Sequence, residues 1–392
     1  MKAEHPLASE VTQLDDLSPL KEPIFATALN DLDDLLTQSS KAFLIGAGCS
    51  KCAGLPLMAD LTTKTLASEN LSATTKAILT AIQGIFSGAN AANIEDYLSE
   101  LVDLVAIAER RSVRGANNHT TSLSGVDYTA KQLKDAVDEI KVAIAKVIDA
   151  PVSMEVHWKF IQAVHRPSRP GRTVASRPVD YLLLNYDTLI ENALALQKLR
   201  YADGMNGGNS AWWDLSTFDA ESLSARVIKL HGSIDWSEMS GEPLPRRIDK
   251  NLKLPTGNEP KVLIWPASTK YRETQRDPYA QLSNLARRAL RPPSGTQTVL
   301  TVCGYSFGDS HINIEIEHAL RESGGELTVV VFTFDEGPTG DLKRLHEDTE
   351  ISEQIRIYAR RGFFHGTTTT KSAVDLPWSK FENITRLLGG ER

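Results

Sequence analysis

A series of short apolar runs, several of them separated by helical patterns, most constrains what this chain can fold into. The runs occupy residues 41–46, 178–187, 225–232, 261–266, 296–306 and 326–334. Helical periodicity is present at residues 188–199, 277–290 and 310–322. Continuous apolar runs of this length are typical of strands buried on both faces. Strands that alternate with helices indicate βαβ units, so the sequence predicts an α/β fold in which a parallel sheet carries helices on both faces.

A long helical stretch interrupts this pattern after the first strand. Residues 58–150 repeatedly place apolar residues three or four positions apart, which predicts a helical insertion, and the polar residues 111–127 within it predict a loop. The sequence thus predicts three parts, and the first is an N-terminal acidic and helical segment at 1–39. One α/β domain with its helical insertion is expected at 40–335, followed by a C-terminal extension at 336–392.

The distribution of charge limits the classes of partner. The formal net charge is −7, and residues 1–40 carry eight acidic residues and two lysines. The rest of the chain is near neutral, whereas nucleic-acid-binding proteins usually carry a basic excess. Arg166, Arg169 and Arg172 lie in a stretch at 166–178 whose prolines and glycine predict a flexible segment, so solvated loop charges are the favoured interpretation. Direct nucleic-acid contact stays open but is not favoured.

The cysteines and the apolar runs indicate a compartment. No uninterrupted apolar run approaches the roughly 18 residues that span a bilayer, and three cysteines cannot build a disulfide framework. We therefore expect a cytoplasmic protein without a membrane span. Cys49 and Cys52 form a C-x-x-C pair, but no second pair is present. Since Cys303 alone cannot complete a cysteine-only tetrahedral site, a structural role for the pair is favoured over zinc binding.

The first motif with chemical meaning is GAGCSKCAGLP, which directly follows the first apolar run. Gly46 and Gly48 let the backbone turn tightly and approach a pyrophosphate, whose charge free amide groups at the following helix would meet. A strand followed by G-x-G alone is weak evidence, because many such turns need glycine for packing only. Nucleotide binding and a packing role are therefore both retained at this turn.

Polar residues follow two further apolar runs. Asn185 and Asp187 end the run LLLNYD, and His231 with Gly232 ends the run KLHG. Ligands of open parallel sheets lie beyond the carboxyl ends of the strands, so Asn185 and His231 are expected to converge on one ligand. Asp187 is equally well placed to cap the next helix, and a lone histidine at a strand end is more often structural than catalytic.

A fourth motif is the turn GYSFGDSHIN near residue 304. Gly304, Ser306 and Gly308 form a turn that fits against an adenosine ribose or a phosphate, with Ser306 as a hydrogen-bond donor. Asp309 and His311 are expected instead to start and cap the next helix.

These four elements, in this order, resemble the sirtuin superfamily, over roughly residues 40–335. The family's nucleotide loop is matched by Gly46, Ala47, Gly48, Ser50, Gly54, Leu55 and Pro56. Its strand-end Asn-x-Asp, catalytic His-Gly and late Gly-x-Ser are matched by Asn185 with Asp187, by His231 with Gly232, and by Gly304 with Ser306. The resemblance implies a Rossmann-like fold, NAD contacts from the loop residues, Gly232, Gly304 and Ser306, and catalytic roles for His231, Asn185 and Asp187.

Departures from the family's pattern indicate which subgroup of the sirtuin superfamily the chain resembles. Protein-deacylating sirtuins carry a zinc ribbon after the catalytic histidine, whereas no cysteine lies between His231 and Cys303, so neither a zinc ribbon nor zinc is expected. Their nucleotide loop also continues into Asp-Phe-Arg, where this chain has Leu57 and Met58. The motifs are instead similar to zinc-free sirtuin-like domains of bacterial antiphage defence, whose characterised members deplete NAD.

That narrower resemblance implies an NAD glycohydrolase that takes NAD as its substrate and releases nicotinamide and ADP-ribose. It also implies a homo-oligomer and an ATPase partner of the HerA type, with segments 1–40 and 58–150 as candidates for the contacts. Two alternatives remain: an NAD-dependent protein deacylase, and a non-catalytic subunit that binds NAD or ADP-ribose in a defence nuclease–ATPase complex.

Overall fold

The structure is a computed structural model. It describes residues 15–36, 40–86, 92–166, 177–249, 251–255, 260–264, 277–291 and 295–391. Most of the segment predicted to be flexible, residues 167–176, lies outside the described residues, as do residues 1–14 of the acidic segment.

Strands and helices follow the chain in an order that places the predicted insertion between the first two long strands. The strands are β1 (Ser40–Ile45), β2 (Thr121–Leu123), β3 (Val126–Tyr128), β4 (Val179–Leu183), β5 (Tyr201–Ala202), β6 (Met205–Gly207), β7 (Ala211–Trp213), β8 (Ala225–Lys229), β9 (Gly232–Glu238), β10 (Arg246–Arg247), β11 (Lys261–Ile264), β12 (Thr298–Cys303), β13 (Leu327–Thr333), β14 (Ile355–Ala359), β15 (Gly362–His365) and β16 (Thr368–Lys371). The α-helices are α1 (Ala26–Leu36), α2 (Met58–Leu66), α3 (Ala73–Ile85), α4 (Ile94–Val113), α5 (Ala130–Ile148), α6 (Glu155–Val164), α7 (Leu189–Leu196), α8 (Tyr279–Leu290), α9 (Ser310–Glu322), α10 (Gly340–Glu347) and α11 (Phe381–Leu388). None of these helices, within the described part of the chain, has both the length and the apolar character to cross a membrane.

The main sheet has nine strands in the order β16-β15-β14-β13-β12-β1-β4-β8-β5. All neighbours from β14 to β5 are parallel, whereas the pairs β14–β15 and β15–β16 are antiparallel, so β15 is the strand that runs in the opposite direction. From β1 the chain builds outward through β4 and β8, and it then returns to the other side of β1 to add β12, β13 and β14. The strand order therefore reverses between β1 and β12, which is the point where ligands of Rossmann-like sheets bind.

Alternating side chains of the strands bury both faces of this sheet. On one face, Leu44, Leu182 and Val329 pack in a core that also contains residues of α8, α9 and α10. On the opposite face, Phe43 and Tyr181 pack in a core that contains residues of α1, α6, α7 and α11. The prediction of a Rossmann-like parallel sheet with helices on both faces is confirmed.

A second, five-stranded sheet was not predicted as a separate unit. Its order is β11-β9-β10-β7-β6, and its pairs are antiparallel. The run at 261–266 was expected to belong to the parallel sheet, but its described part, β11, pairs with β9 instead. Residues from α2 to α5 form a third core that includes Tyr186, Leu189 and Ile264. The insertion helices therefore pack directly against the turn after β4 and against the second sheet.

Two local predictions are corrected. The polar stretch at 111–127 was expected to be a loop, yet α4 continues to Val113 and the hairpin β2–β3 follows. No strand was predicted after residue 334, although β14, β15 and β16 extend the main sheet. Arg360 and Arg361 separate β14 from β15, and β16 consists of three threonines and a lysine, so this part of the sequence lacks a continuous apolar run.

Two glycine turns contact each other where the strand order reverses. The Gly46 amide donates to the Cys303 carbonyl (2.9 Å), and the Gly48 amide donates to the Gly304 carbonyl (3.0 Å). A Cβ atom on Gly46 would lie 2.4 Å from the Gly304 oxygen, and one on Gly304 would lie 2.5 Å from the Cys49 nitrogen. Because the two backbones are this close, the turns after β1 and β12 admit only glycine at the contact.

We predict that Gly304→Ala destabilises the protein by about 2–5 kcal/mol, because alanine adds a steric clash to a left-handed backbone (φ 64°). Gly324→Ala is the matched control, since Gly324 is also left-handed (φ 59°) but a Cβ there meets open space. The control is expected to lose about 1–2 kcal/mol. Urea unfolding of the three proteins tests the difference, and equal losses in the two variants would contradict the contact.

Candidate functional site

The turn after β4 is hydrogen-bonded to the glycine turn after β1. The Asn185 side-chain amide donates to the Gly46 carbonyl (3.1 Å) and to the Ser50 hydroxyl (2.7 Å). The Ser50 hydroxyl in turn donates to Asp187 Oδ2 (2.7 Å). All three polar side chains are buried. The structure therefore brings together Asn185, Asp187 and Ser50, three of the residues singled out from the sequence, at one strand-end crevice.

Asn185 leaves one acceptor unused. Its Nδ2 faces the Gly46 carbonyl, which can only accept, so the orientation of the amide is fixed. Its Oδ1 is buried and has no hydrogen-bond partner among the described residues. A buried acceptor without a donor costs about 1–3 kcal/mol. This oxygen is therefore a natural contact for an N–H or O–H group of a ligand.

Asp187 makes the cap contact that its position suggested. Its Oδ1 accepts from the Leu189 amide (3.1 Å) in the first turn of α7, while Oδ2 accepts from Ser50. Both carboxylate oxygens are thus engaged within the chain. A ligand that binds Asp187 has to share or replace one of these bonds.

His231 lies at the neighbouring strand end and is buried, with 3% of its surface exposed. The Leu230 amide donates to the Leu183 carbonyl (2.9 Å), which sets the ends of β4 and β8 side by side. The His231 ring centroid is 6.4 Å from that of Tyr186, the residue between Asn185 and Asp187. Gly232 follows in the left-handed region (φ 84°), so the chain turns directly from His231 into β9.

Asp309 has a different environment from the one that the sequence predicts. The helix α9 does begin after it, and its carbonyl accepts from the Ile312 amide (3.0 Å), but its side chain makes no cap hydrogen bond. Its Oδ2 instead lies 3.9 Å from His231 Nε2. The expectation of a side-chain cap is therefore wrong for Asp309, and a carboxylate faces the candidate catalytic histidine. His311 lies in the first turn of α9, with its ring centroid 6.1 Å from that of His231.

A buried network that sequence reasoning missed fixes the turn that carries Asp309. The Tyr305 hydroxyl donates to Asn313 Oδ1 (2.8 Å) and accepts from the Asp309 amide (3.1 Å). Asn313 donates to the Phe307 carbonyl (2.8 Å) and to Asp341 Oδ2 (2.7 Å). The only sequence signal is an aromatic and an amide residue eight positions apart across a helix start, which no short motif describes.

A second missed group is the buried pair Lys229 and Glu191. The Lys229 ammonium lies 3.2 Å from Glu191 Oε1, and both residues are buried. Burial raises the pKa of Glu191 to about 7; Lys229 opposes this rise, and Asp235 and Asp203 add to it. A lysine at the end of the apolar run RVIKLHG is the one sequence signal for a buried charge at this position.

The remaining predicted residues lie around the glycine turn or farther along the β12 turn. Ala47 starts a 3-10 helix (Ala47–Ala53) rather than an α-helix, and Gly54 ends it in the left-handed region (φ 94°). Leu55 packs with the insertion helices, and Pro56 beside it is half-buried. Ser306 is exposed beside Gly308 and is not among the residues that bond Asn185 or Asp187.

The cysteines lie in or next to the glycine turns, and a cavity lies beside the end of β8. Cys49, Cys52 and Cys303 are free thiols, and the Cys52 thiol donates to the Cys49 carbonyl (3.3 Å). Across the described ranges, His, Cys, Asp and Glu side chains form no group of three placed to hold a metal. A cavity of about 150 Å³ lies between the sheet and the helices α8 and α9, lined largely by apolar side chains together with His311.

Comparison with known proteins adds a family similarity for part of the chain. The profile of a family described as SIR2-like domain matches residues 181–354, which include Asn185, His231 and Gly304. Among solved structures, a Sir2 homologue in complex with NAD is 12% identical, with 92% of this chain and 93% of that chain covered and a TM-score of 0.42. A mutant Sir2 homologue with ADP-ribose is 10% identical, with 92% and 95% covered and a TM-score of 0.41. No curated protein matches. Residues 181–354, from within β4 to just before β14, are thus similar to SIR2-like domains.

We predict that Glu191→Gln changes how stability depends on pH. Because the pKa of Glu191 rises from 4.5 to about 7 on folding, its proton stabilises the folded state below pH 4.5, and this contribution is lost as the pH rises through 7. Relative to the variant, the wild type should lose about 3 kcal/mol of unfolding free energy across that window. Urea unfolding at a series of pH values measures the difference.

Glu155→Gln is the control for that series, since Glu155 is exposed on α6 and Lys159 lowers its pKa. Its curve should run nearly parallel to the wild type above pH 5. A Glu191→Gln curve that is also parallel to the wild type would contradict the buried, protonatable state of Glu191.

Proposed function

We propose that this chain is an NAD glycohydrolase, which cleaves the bond between nicotinamide and ribose. Water and NAD yield nicotinamide, ADP-ribose and a proton. One observation carries the proposal: the polar end of β4 is hydrogen-bonded to the glycine turn of β1 near the reversal of strand order, the end of β8 lies beside it, and the buried Asn185 Oδ1 is unpartnered among the described residues. The match of residues 181–354 to the SIR2-like domain family supports NAD as the ligand.

The glycine turns supply the binding surface for the pyrophosphate. The absence of side chains at Gly46, Gly48 and Gly304 lets the two turns pack together where the sheet reverses, and this compact backbone would be the surface against which a phosphate group lies. Gly48 and Gly304 are exposed on this side, whereas the polar side chains behind them are buried. NAD therefore would lie with its pyrophosphate on the turns and its nicotinamide ribose toward β4 and β8.

The side chains at the strand ends supply the chemistry. Departure of nicotinamide leaves positive charge on the ribose, so the protein must orient that ribose and admit one water. Asn185 Oδ1 would accept from a ribose hydroxyl or from the attacking water, and His231 would take a proton from either. The Asp309 carboxylate, 3.9 Å from His231 Nε2, favours the protonated imidazole that results. Asp187 would contact the carboxamide while it continues to cap α7.

The biological role and the partners belong to the same proposal. Similarity of NYDTLIE, KLHGSIDW and GYSFGDSHIN to zinc-free antiphage domains supports NAD depletion in defence, in a homo-oligomer or with a HerA-type ATPase. Residues 15–36 pack into this chain's own core through Leu20, Phe25 and Leu32. The insertion helices also pack into a core of this chain, so the exposed faces of both segments are retained as candidates for the contacts. Light scattering of the protein with and without the ATPase measures assembly, and an unchanged size would count against the partner.

We predict that His231→Ala and Asn185→Ala each reduce nicotinamide release from NAD by about 100-fold or more, because each removes a group at the reacting centre. His119→Ala, an exposed histidine in the insertion, is the control and should match the wild type. Chromatography of NAD and nicotinamide after incubation, with the ATPase and DNA added in parallel, gives the rates. An unchanged rate for His231→Ala would remove this residue from the mechanism.

The same assay separates the alternatives. A protein deacylase would release nicotinamide only when an acyl-lysine peptide is present, because the acyl oxygen and not water is then the nucleophile. A binding subunit would show saturable NAD binding without nicotinamide under every condition. Release from NAD alone is the outcome that the proposal requires.

A further inference from the structure

Lys229 is a fully buried charge, with 0% of its surface exposed, at the end of β8 and two residues before His231. A methionine or leucine would fill this space without the desolvation that an ammonium group suffers. Replacement of buried ion pairs by apolar residues is often neutral or stabilising, so packing alone does not account for a lysine here.

The contacts of Lys229 join three separate elements. Its ammonium donates to the main-chain carbonyl of Asp187 in the turn after β4, and it lies 3.2 Å from Glu191 Oε1 in the first turn of α7. The lysine itself belongs to the strand that leads into His231. The Lys229 ammonium therefore connects the turn after β4, the helix that follows this turn, and the end of β8.

The point of attachment is central to the candidate site. The carbonyl that Lys229 holds belongs to Asp187, whose side chain binds Ser50, and Asn185 lies two residues earlier. A shift of this carbonyl would move both side chains relative to the glycine turn. Sub-ångström placement matters for catalysis, since a misplacement of about 1 Å can slow a reaction about 100-fold.

We propose that Lys229 is a positioning residue that holds the turn after β4 in register with the strand carrying His231. The inference rests on the NAD cleavage proposed above, because it assigns Lys229 a role in that same site. Glu191 is the counter-charge that keeps the ammonium in place. The charged groups near Glu191 are Lys229, Asp235 and Asp203, and Arg247 neutralises the two aspartates through ion pairs of 2.6 Å each.

Lys229→Met tests the proposal, because it keeps an unbranched side chain that is one atom shorter and removes the charge. Glu191 then loses its partner, but a carboxyl group whose pKa is already about 7 takes up a proton instead of remaining buried as an anion. The double variant Lys229→Met/Glu191→Gln removes both charges and serves if the single variant fails to fold. Lys41→Met is the matched control, a partly buried lysine at the amino end of β1 in the same sheet.

Two readouts separate positioning from a general loss of stability. In Lys229→Met, kcat for NAD cleavage should fall about 100-fold while the Kd for NAD changes less than about threefold. Hydrogen exchange followed by mass spectrometry should show faster exchange in residues 184–190 only. Lys41→Met should change neither quantity.

Each outcome has a distinct meaning. A parallel loss of NAD affinity, faster exchange throughout the sheet, or wild-type kcat in the folded Lys229→Met or double variant would overturn the positioning role. A wild-type protein that releases no nicotinamide would overturn the proposed function instead. In that case the hydrogen-exchange experiment still shows whether Lys229 stabilises the turn after β4, because it does not require NAD cleavage.

Discussion

The contact between the two glycine turns is the constraint on which the rest of the structure depends. Gly46 and Gly48 after β1 touch Gly304 after β12 with no room for a Cβ atom. These strands are neighbours across the point where the sheet order reverses, so the contact forms the floor of the crevice. The turns after β4 and β8 can then bring Asn185 and His231 to the same edge.

Polar groups buried around this floor are costly, and they are arranged so that most of that cost is offset locally. Ser50 links Asn185 to Asp187, and Lys229 neutralises Glu191 while it binds the Asp187 carbonyl. Asn185 Oδ1 and Glu191 Oε2 are exceptions, because neither has a hydrogen-bond partner among the described residues. The buried, unsatisfied acceptor of Asn185 lies beside the hydrogen bonds of Ser50 and Asp187, an arrangement suited to a ligand that supplies a donor.

The parts of the fold that the sequence predicts are those with a local signal. Continuous apolar runs and the turn residues Gly46, Gly48 and Gly304 predict the parallel sheet and its crevice, because burial on both faces and close backbone approach leave a direct mark on composition. The pairing of β11 with β9 has no such signal in the sequence, since an apolar strand can belong to a parallel or to an antiparallel sheet. The strands β14 to β16 are equally hard to predict, because Arg356 interrupts the apolar residues of β14 and the threonine-rich β16 lies at the edge of the sheet.

The candidate site divides in the same way. Asn185, Asp187 and His231 are predicted from the sequence as candidates because each ends an apolar run. Two other contacts could not be predicted: the approach of Asp309 to His231, and the hydrogen bond from Lys229 to the turn after β4. Both depend on how segments that are distant in the sequence pack together. The described residues therefore add supporting groups to a site whose central members the sequence already indicates.

A structure of the His231→Ala protein with NAD bound tests the central claim most directly. The account predicts the pyrophosphate against Gly46, Gly48 and Gly304, and a hydroxyl of the nicotinamide ribose within hydrogen-bond distance of Asn185 Oδ1. NAD bound elsewhere, for example in the cavity beneath α8 and α9, with Asn185 untouched, would contradict it.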